Sequence, residues 1–189
     1  MILLVDLCYR EGSLAREEFV LPVGRIVESA GARYRVVHYT RSPESSARDC
    51  DGVILCGTPV MDKGYLDDLA LFSWVAGSGL PVLGISAGME ILALLAGGTV
   101  ISCQGIGMTE VRVTASDPVV HEIRVFEAYE LHDHACTLPP GYTTLAESDR
   151  CIQMFRDPGQ PLYGVLFHPE VRNGWVVTRF LSEFCRPSR

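Results

Sequence analysis

Three side-chain types that together perform acyl transfer, a hydroxyl, an imidazole and a carboxylate, stand at Ser86, His168 and Glu170. Ser86 is the centre of Gly84-Ile85-Ser86-Ala87-Gly88, a G-x-S-x-G pentapeptide. That spacing suits a nucleophile elbow, a sharp strand-to-helix turn whose glycines let backbones pass closely and whose central side chain projects beyond the strand end. A helix starting at Ala87 would aim unpaired N–H groups and partial positive charge at an oxyanion formed there. Read alone, the pentapeptide also fits a serine N-cap in a glycine-lined turn. The second passage is Phe167-His168-Pro169-Glu170. Side chains two apart share a face of extended chain, so Glu170 can hold the His168 imidazole, fix its tautomer and stabilise the imidazolium. The order nucleophile, histidine, acid differs from the α/β-hydrolase order, in which the acid precedes the histidine.

These residues need a scaffold, and the hydrophobic pattern predicts one. Short runs rich in Val, Ile and Leu, at 1–6, 34–39, 52–56 and 81–85, read as strands buried on both faces. Between them, 16–29, 66–76 and 87–96 read as helices, with Pro22 marking a late start in the first. The alternation predicts an α/β fold with a mainly parallel sheet. After Gly97-Gly98 shorter stretches at 109–114, 122–127, 143–147, 151–155 and 162–167 predict added antiparallel strands, and 175–184 a closing helix. With 189 residues and no linker or internal repeat, the chain is expected to form one domain over 1–189.

Composition narrows the partners. Sixteen basic against 23 acidic residues, a net charge of −7, leave no electrostatic footprint for gripping nucleic acid. No run approaches the roughly 18 apolar residues of a membrane span. The seven cysteines form no C-x-x-C pair, and with no secretion signal the thiols are expected to be reduced and the location cytoplasmic. Cys56 reads as core. His132 and His134 form an H-x-H pair without a third ligand in view, so no metal and no cofactor is expected and both are read as surface histidines.

Gly84-Ile85-Ser86-Ala87-Gly88-Met89-Glu90 is similar to the G-x-C-x-G-x-Q nucleophile motif of class I glutamine amidotransferases, and 167–170 matches their F-H-P-E. The segment Asp51-Gly52-Val53-Ile54-Leu55-Cys56-Gly57-Thr58-Pro59 resembles the family's D-G-hydrophobic-S-G-G-P turn. The resemblance runs essentially end to end. Among subfamilies, the chain length, 92–100 and 161–171 look most like the free-standing glutaminase subunit of GMP synthase. It implies a flavodoxin-like open sheet, hydrolysis of the glutamine side-chain amide, and delivery of ammonia to a synthetase partner. Carried over by position, Ser86 is the nucleophile, His168 the base and acid, and Glu170 the orienting carboxylate. The N–H of Ala87 with one from Gly57 or Thr58 forms the oxyanion hole, and Glu90 contacts substrate.

Several motif positions depart from that pattern. Ser86 replaces the family cysteine, and a hydroxyl depends wholly on general-base help where a thiol can ionise. Glu90 replaces a glutamine, which sets a negative charge near a zwitterionic substrate, offers a seat for an ammonium group, or merely complements the helix dipole. Thr58 replaces the second glycine of G-G-P and adds a Cβ that an unusual φ or a close backbone approach would not admit. Glu130-Leu131-His132-Asp133-His134 keeps only Asp133 of the subfamily's S-H-x-D-E stretch. Two alternatives therefore stand beside the amidase: a catalytically degenerate homologue that binds glutamine or a partner protein, and a Ser-nucleophile peptidase, since G-x-S-A-G also resembles peptidase E and cyanophycinase.

Overall fold

A computed structural model describes residues 1–185. The chain runs β1 (Ile2–Asp6), α1 (Ala15–Phe19), α2 (Leu21–Ser29), β2 (Tyr34–His38), α3 (Pro43–Ala47), β3 (Gly52–Leu55), α4 (Gly64–Asp67), α5 (Trp74–Gly77), β4 (Val82–Ile85) and α6 (Ala87–Leu95). There follow β5 (Val100–Val113), β6 (Val125–Cys136), β7 (Thr143–Glu147), β8 (Ile152–Arg156), β9 (Leu162–Val165) and α7 (Trp175–Phe184). Among the described residues all nine strands join one sheet in the order β2-β1-β3-β4-β9-β8-β7-β5-β6. The first five in that order are parallel neighbours, and the other pairings are antiparallel.

The parallel half needs cover on both faces, and the sequence supplies it. β1, β3, β4 and β9 are buried at every position, as expected of strands sandwiched between helices. Val23 and Val27 of α2 and Val176, Val177 and Phe180 of α7 close one face, while Tyr65, Phe72, Val75 and residues of α6 close the other. α6 is apolar almost all round, with 87–93 buried, because it packs into the sheet as well as along it.

Two expected helices are broken where the chain cannot continue them. Pro22 has no N–H to give the preceding turn, so the stretch 16–29 divides into α1 and α2 at Val20. The expected helix at 66–76 is three short pieces, α4, a 3₁₀ turn at Leu69–Phe72 and α5. The largest difference is the antiparallel arm. Strands expected at 109–114 and 122–127 are parts of a long hairpin, β5 with β6, whose register shifts between Ser102 and Gly105. Residue 122 lies outside it, since Glu122 adopts a φ of 63° in the connecting turn.

Candidate functional site

β3, β4 and β9 are adjacent and parallel, with Leu55 opposite Gly84 and Ile85 opposite Val165. Their carboxyl ends therefore carry Gly57-Thr58, Ser86 and His168 to one rim of the sheet. Ligand crevices of open α/β sheets form at this rim.

Ser86 has φ 49° and ψ −107°, a conformation costly for any residue with a Cβ. It is over-determined by its surroundings: the Ser86 N–H donates to Val165 O at 2.8 Å and its carbonyl accepts from the Glu90 N–H at 3.1 Å. Both elbow glycines are sterically required. A Cβ on Gly84 would land on the Gly88 carbonyl, and one on Gly88 on the Leu55 carbonyl. The turn is tight because α6 springs off β4 while pressed against β3. Ser86 makes no side-chain cap bond, so the turn is not a conventional serine N-cap.

His168 Nδ1 lies 2.7 Å from Glu170 Oε1, and both side chains are buried. A carboxylate only accepts, so Nδ1 carries the proton and Nε2 holds the lone pair. Nε2 is buried and has no hydrogen-bond partner, Ser86 Oγ included. The ring is held on three further sides. Its backbone N–H donates to Tyr129 O at 2.9 Å, Phe19 meets it edge-on at 5.5 Å, and a Cβ at Gly57 would stand 2.9 Å from His168 Cε1. Gly57 is thus glycine to admit the imidazole.

Thr58 does not need the backbone freedom of the glycine it replaces. Among the described residues only Ser42, Ser86 and Glu122 take positive φ without being glycine. The Thr58 hydroxyl donates to Asp62 Oδ2 at 3.1 Å. The N–H groups of Gly57, Thr58 and Ala87 make no hydrogen bond among the described residues, leaving them free to receive an oxyanion. Cys56 is fully buried, and desolvation first, then the nearby Glu170 charge, push its thiol well above the ordinary range. It is core, as expected, and no rival nucleophile.

Glu90 sits one turn along α6 from Ser86 and is 2% exposed. Its Oε2 accepts from the Tyr65 hydroxyl at 2.7 Å and lies 3.7 Å from His134 Nδ1. Burial, and then the Glu90 charge, raise the Tyr65 phenol, which stays a neutral donor. Lys63 donates to Asp133, with its Nζ also 3.3 Å from His134 Nδ1. Desolvation raises the Asp133 carboxyl, but the hydrogen bond and charge of Lys63, with a smaller contribution from His134, outweigh it and hold the group below its ordinary range. Sequence reasoning missed Tyr65, Lys63 and His134 as neighbours of Glu90, because nothing in their spacing ties α4 to β6. The surface assignment of the H-x-H pair needs correction. His132 is 3% exposed and His134 is half-buried, since alternation along β6 turns Ala128, Glu130 and His132 inward.

The sequence profile of the family "Glutamine amidotransferase class-I" matches residues 19–186. The chain belongs to that family. Curated relatives of this amidotransferase include the glutamine-hydrolyzing GMP synthase subunit of Methanocaldococcus jannaschii, 30% identical over 177 residues, covering 89% of this chain and 92% of that protein. The protein of the same name from Methanosarcina barkeri is 37% identical over 145 residues, 73% of this chain and 74% of that one. A solved chain from Thermoplasma acidophilum, itself assigned only provisionally to GMP synthase, superimposes with a TM-score of 0.84 at 26% identity, over 97% of this chain and 92% of that one. The mixed, helix-flanked sheet is therefore the flavodoxin-like fold of the class I amidotransferases. No helix among the described residues is long and apolar enough to cross a membrane.

Proposed function

We propose that this amidotransferase hydrolyses the side-chain amide of glutamine and hands the ammonia to a synthetase partner, with Ser86 in the place of the nucleophile. His168 Nε2 takes the Ser86 proton as Oγ attacks the amide carbon, and the oxyanion settles on the N–H groups of Ala87 and of Gly57 or Thr58. The imidazolium, held by Glu170, then protonates the leaving nitrogen, and ammonia departs from a glutamyl ester on Ser86. Water, deprotonated by the same nitrogen, cleaves the ester and regenerates the hydroxyl. The observation that carries this reading is the buried His168 with Nδ1 clamped by Glu170 and a lone-paired Nε2 left unpartnered, at the rim where the strained Ser86 stands. A synthetase partner is inferred from the names of the relatives, and cytoplasmic location from the same kinship.

The test is ammonia release from glutamine by the purified chain, by Ser86→Ala and by Ser86→Cys. Turnover abolished by Ser86→Ala supports the serine nucleophile, and faster turnover by Ser86→Cys fits a site built for a thiolate. Two observations favour a second reading, a homologue that binds glutamine or a partner protein without hydrolysing it. Ser86 Oγ is not hydrogen-bonded to His168, and Glu90 sets a buried carboxylate one turn away. Glutamine binding without ammonia release from either the serine or the cysteine form selects that reading. Labelling of Ser86 by a fluorophosphonate without glutamine turnover would instead select the peptidase-like hydrolase.

A further inference from the structure

A second cluster of chemistry-bearing side chains lies in the antiparallel arm, apart from the triad. Glu130 and His132 share the inward face of β6, and Cys151 reaches them from the turn between β7 and β8. Their ligand atoms, Glu130 carboxylate O, His132 ring N and Cys151 Sγ, lie within 4.8 Å of one another. Cys103, from the irregular part of β5 opposite, is a charge and hydrogen-bond neighbour of the Cys151 thiol. The set is therefore one sulfur, one imidazole and one carboxylate, brought together from β6 and the β7–β8 turn, with a second thiol beside the first.

His132 shows which of its nitrogens is free for a ligand. Nδ1 is 2.9 Å from the Cys103 carbonyl, which only accepts, so Nδ1 carries a proton. Nε2 is buried, makes no hydrogen bond, and stands 3.4 Å from Glu130 Oε1. A buried ring nitrogen facing a carboxylate is an arrangement that a shared cation, a proton or a metal ion, completes. A ring N–H donated to a backbone carbonyl is also how metal-bound histidines are usually oriented. Glu130 is braced in the same way, its Oε1 accepting from Gln153 Nε2 at 2.5 Å and its Oε2 paired with Arg150. Gly105 makes the room, for a Cβ there would stand 2.6 Å from His132 Nε2 and 2.8 Å from Glu130 Oε2.

We propose that Glu130, His132 and Cys151, with Cys103 beside them, form a site for a zinc ion that ties the β5–β6 hairpin to the β7–β8 turn. Mixed sulfur, nitrogen and oxygen donors, three from the protein with a water to complete the tetrahedron, suit zinc among common divalent cations, at about 2.0–2.3 Å from each ligand. The Cys151 thiol, pushed up to about 12 by burial first and then by Cys103, has to lose its proton to the ion, so binding releases protons. The site is independent of the proposed amidase, although the residue before Glu130, Tyr129, holds the backbone N–H of His168.

The experiment uses the reduced, tag-free, chelator-treated full chain, titrated with Co²⁺ and then with Zn²⁺ against a chromophoric chelator. The expected result is an equimolar complex with visible cobalt d–d bands of a tetrahedral site and thiolate-to-cobalt charge-transfer absorption, displaced by zinc. Cys151→Ser is expected to remove most of the charge-transfer band and weaken zinc at least tenfold, and His132→Gln to weaken it comparably, while His134→Gln changes neither. Absence of a thiolate–cobalt band in the unmodified protein overturns the proposal and leaves His132 and Glu130 as a buried ion pair. So does a band that survives Cys151→Ser, which would place the thiolate elsewhere. The first of these readouts needs no variant, so a misfolded variant does not protect the idea.

Discussion

If the backbone at Ser86 stores strain for the sake of an elbow, relieving it should stabilise the protein. Glycine is the relieving residue, because the mirror image of φ 49°, ψ −107° lies in the extended basin and is open to a residue without Cβ. Holding a residue with a Cβ in such a region costs about 1–3 kcal/mol. Glycine gives back about 0.5–1 kcal/mol through its freer unfolded chain. The Ser86 hydroxyl makes no cap bond to α6 and none to His168 Nε2, so removing it forfeits neither contact. The net expectation for Ser86→Gly is a gain of about 0.5–2 kcal/mol, a rise in Tm of about 1–8 °C for a chain of this size. Ser86→Ala keeps the Cβ and hence the strain, so it serves as the reference. Thermal and urea denaturation of the three proteins, with an unchanged urea m-value, measure the difference. A glycine variant no more stable than the alanine variant would rule out stored strain, and with it the idea that the turn exists to present this side chain.

Glu170→Gln can no longer stabilise the imidazolium or hold the same tautomer, and glutamine turnover is expected to fall on the order of 10³–10⁴-fold with substrate binding little changed; a fall of less than tenfold in a steady-state ammonia assay removes Glu170 from the triad. Gly57→Ala sets a methyl 2.9 Å from His168 Cε1, so the ring must move and turnover should drop while the fold survives; the readouts are kcat and the far-UV spectrum, and unimpaired kcat contradicts the close approach. Burial raises the Glu130 carboxyl, but His132, Arg150 and Gln153 outweigh it and hold it below its ordinary 4.5. A lowered folded-state value contributes stability that is present above about pH 4.5 and lost as pH falls through the lower, folded-state value. The stability lost in Glu130→Gln should therefore shrink on acidification through that window, and a pH-independent difference in urea midpoint contradicts it.

How much of this was legible in the sequence depended on how local the signal was. Gly84 and Gly88 flag the elbow because a steric need at a fixed offset leaves a glycine at a fixed offset. Likewise Glu170 stands two residues from the histidine it holds, a spacing that extended chain converts into contact. β7 and α7 have the expected bounds, Thr143–Glu147 and Trp175–Phe184, since both have a clean period bounded by turn residues or a charged break. The β5–β6 hairpin was only partly visible because Gly105 and Gly107 interrupt the alternation of β5, the former to admit His132 and Glu130. The burial of His132 and the Tyr65–Glu90–His134 cluster were invisible for another reason. Each joins elements far apart in sequence, and only the pairing order of the strands brings them together.

The whole mechanism turns on acylation of Ser86 Oγ by the glutamyl group. Acid quenching of the wild-type chain during turnover of glutamine, followed by peptide mass mapping, reads that step out. A glutamyl ester is expected on the peptide containing Ser86, lost on mild base treatment and absent from His168→Ala. Glutamyl label on a cysteine peptide instead, or ammonia release that persists in Ser86→Ala, would show that the serine is not the nucleophile.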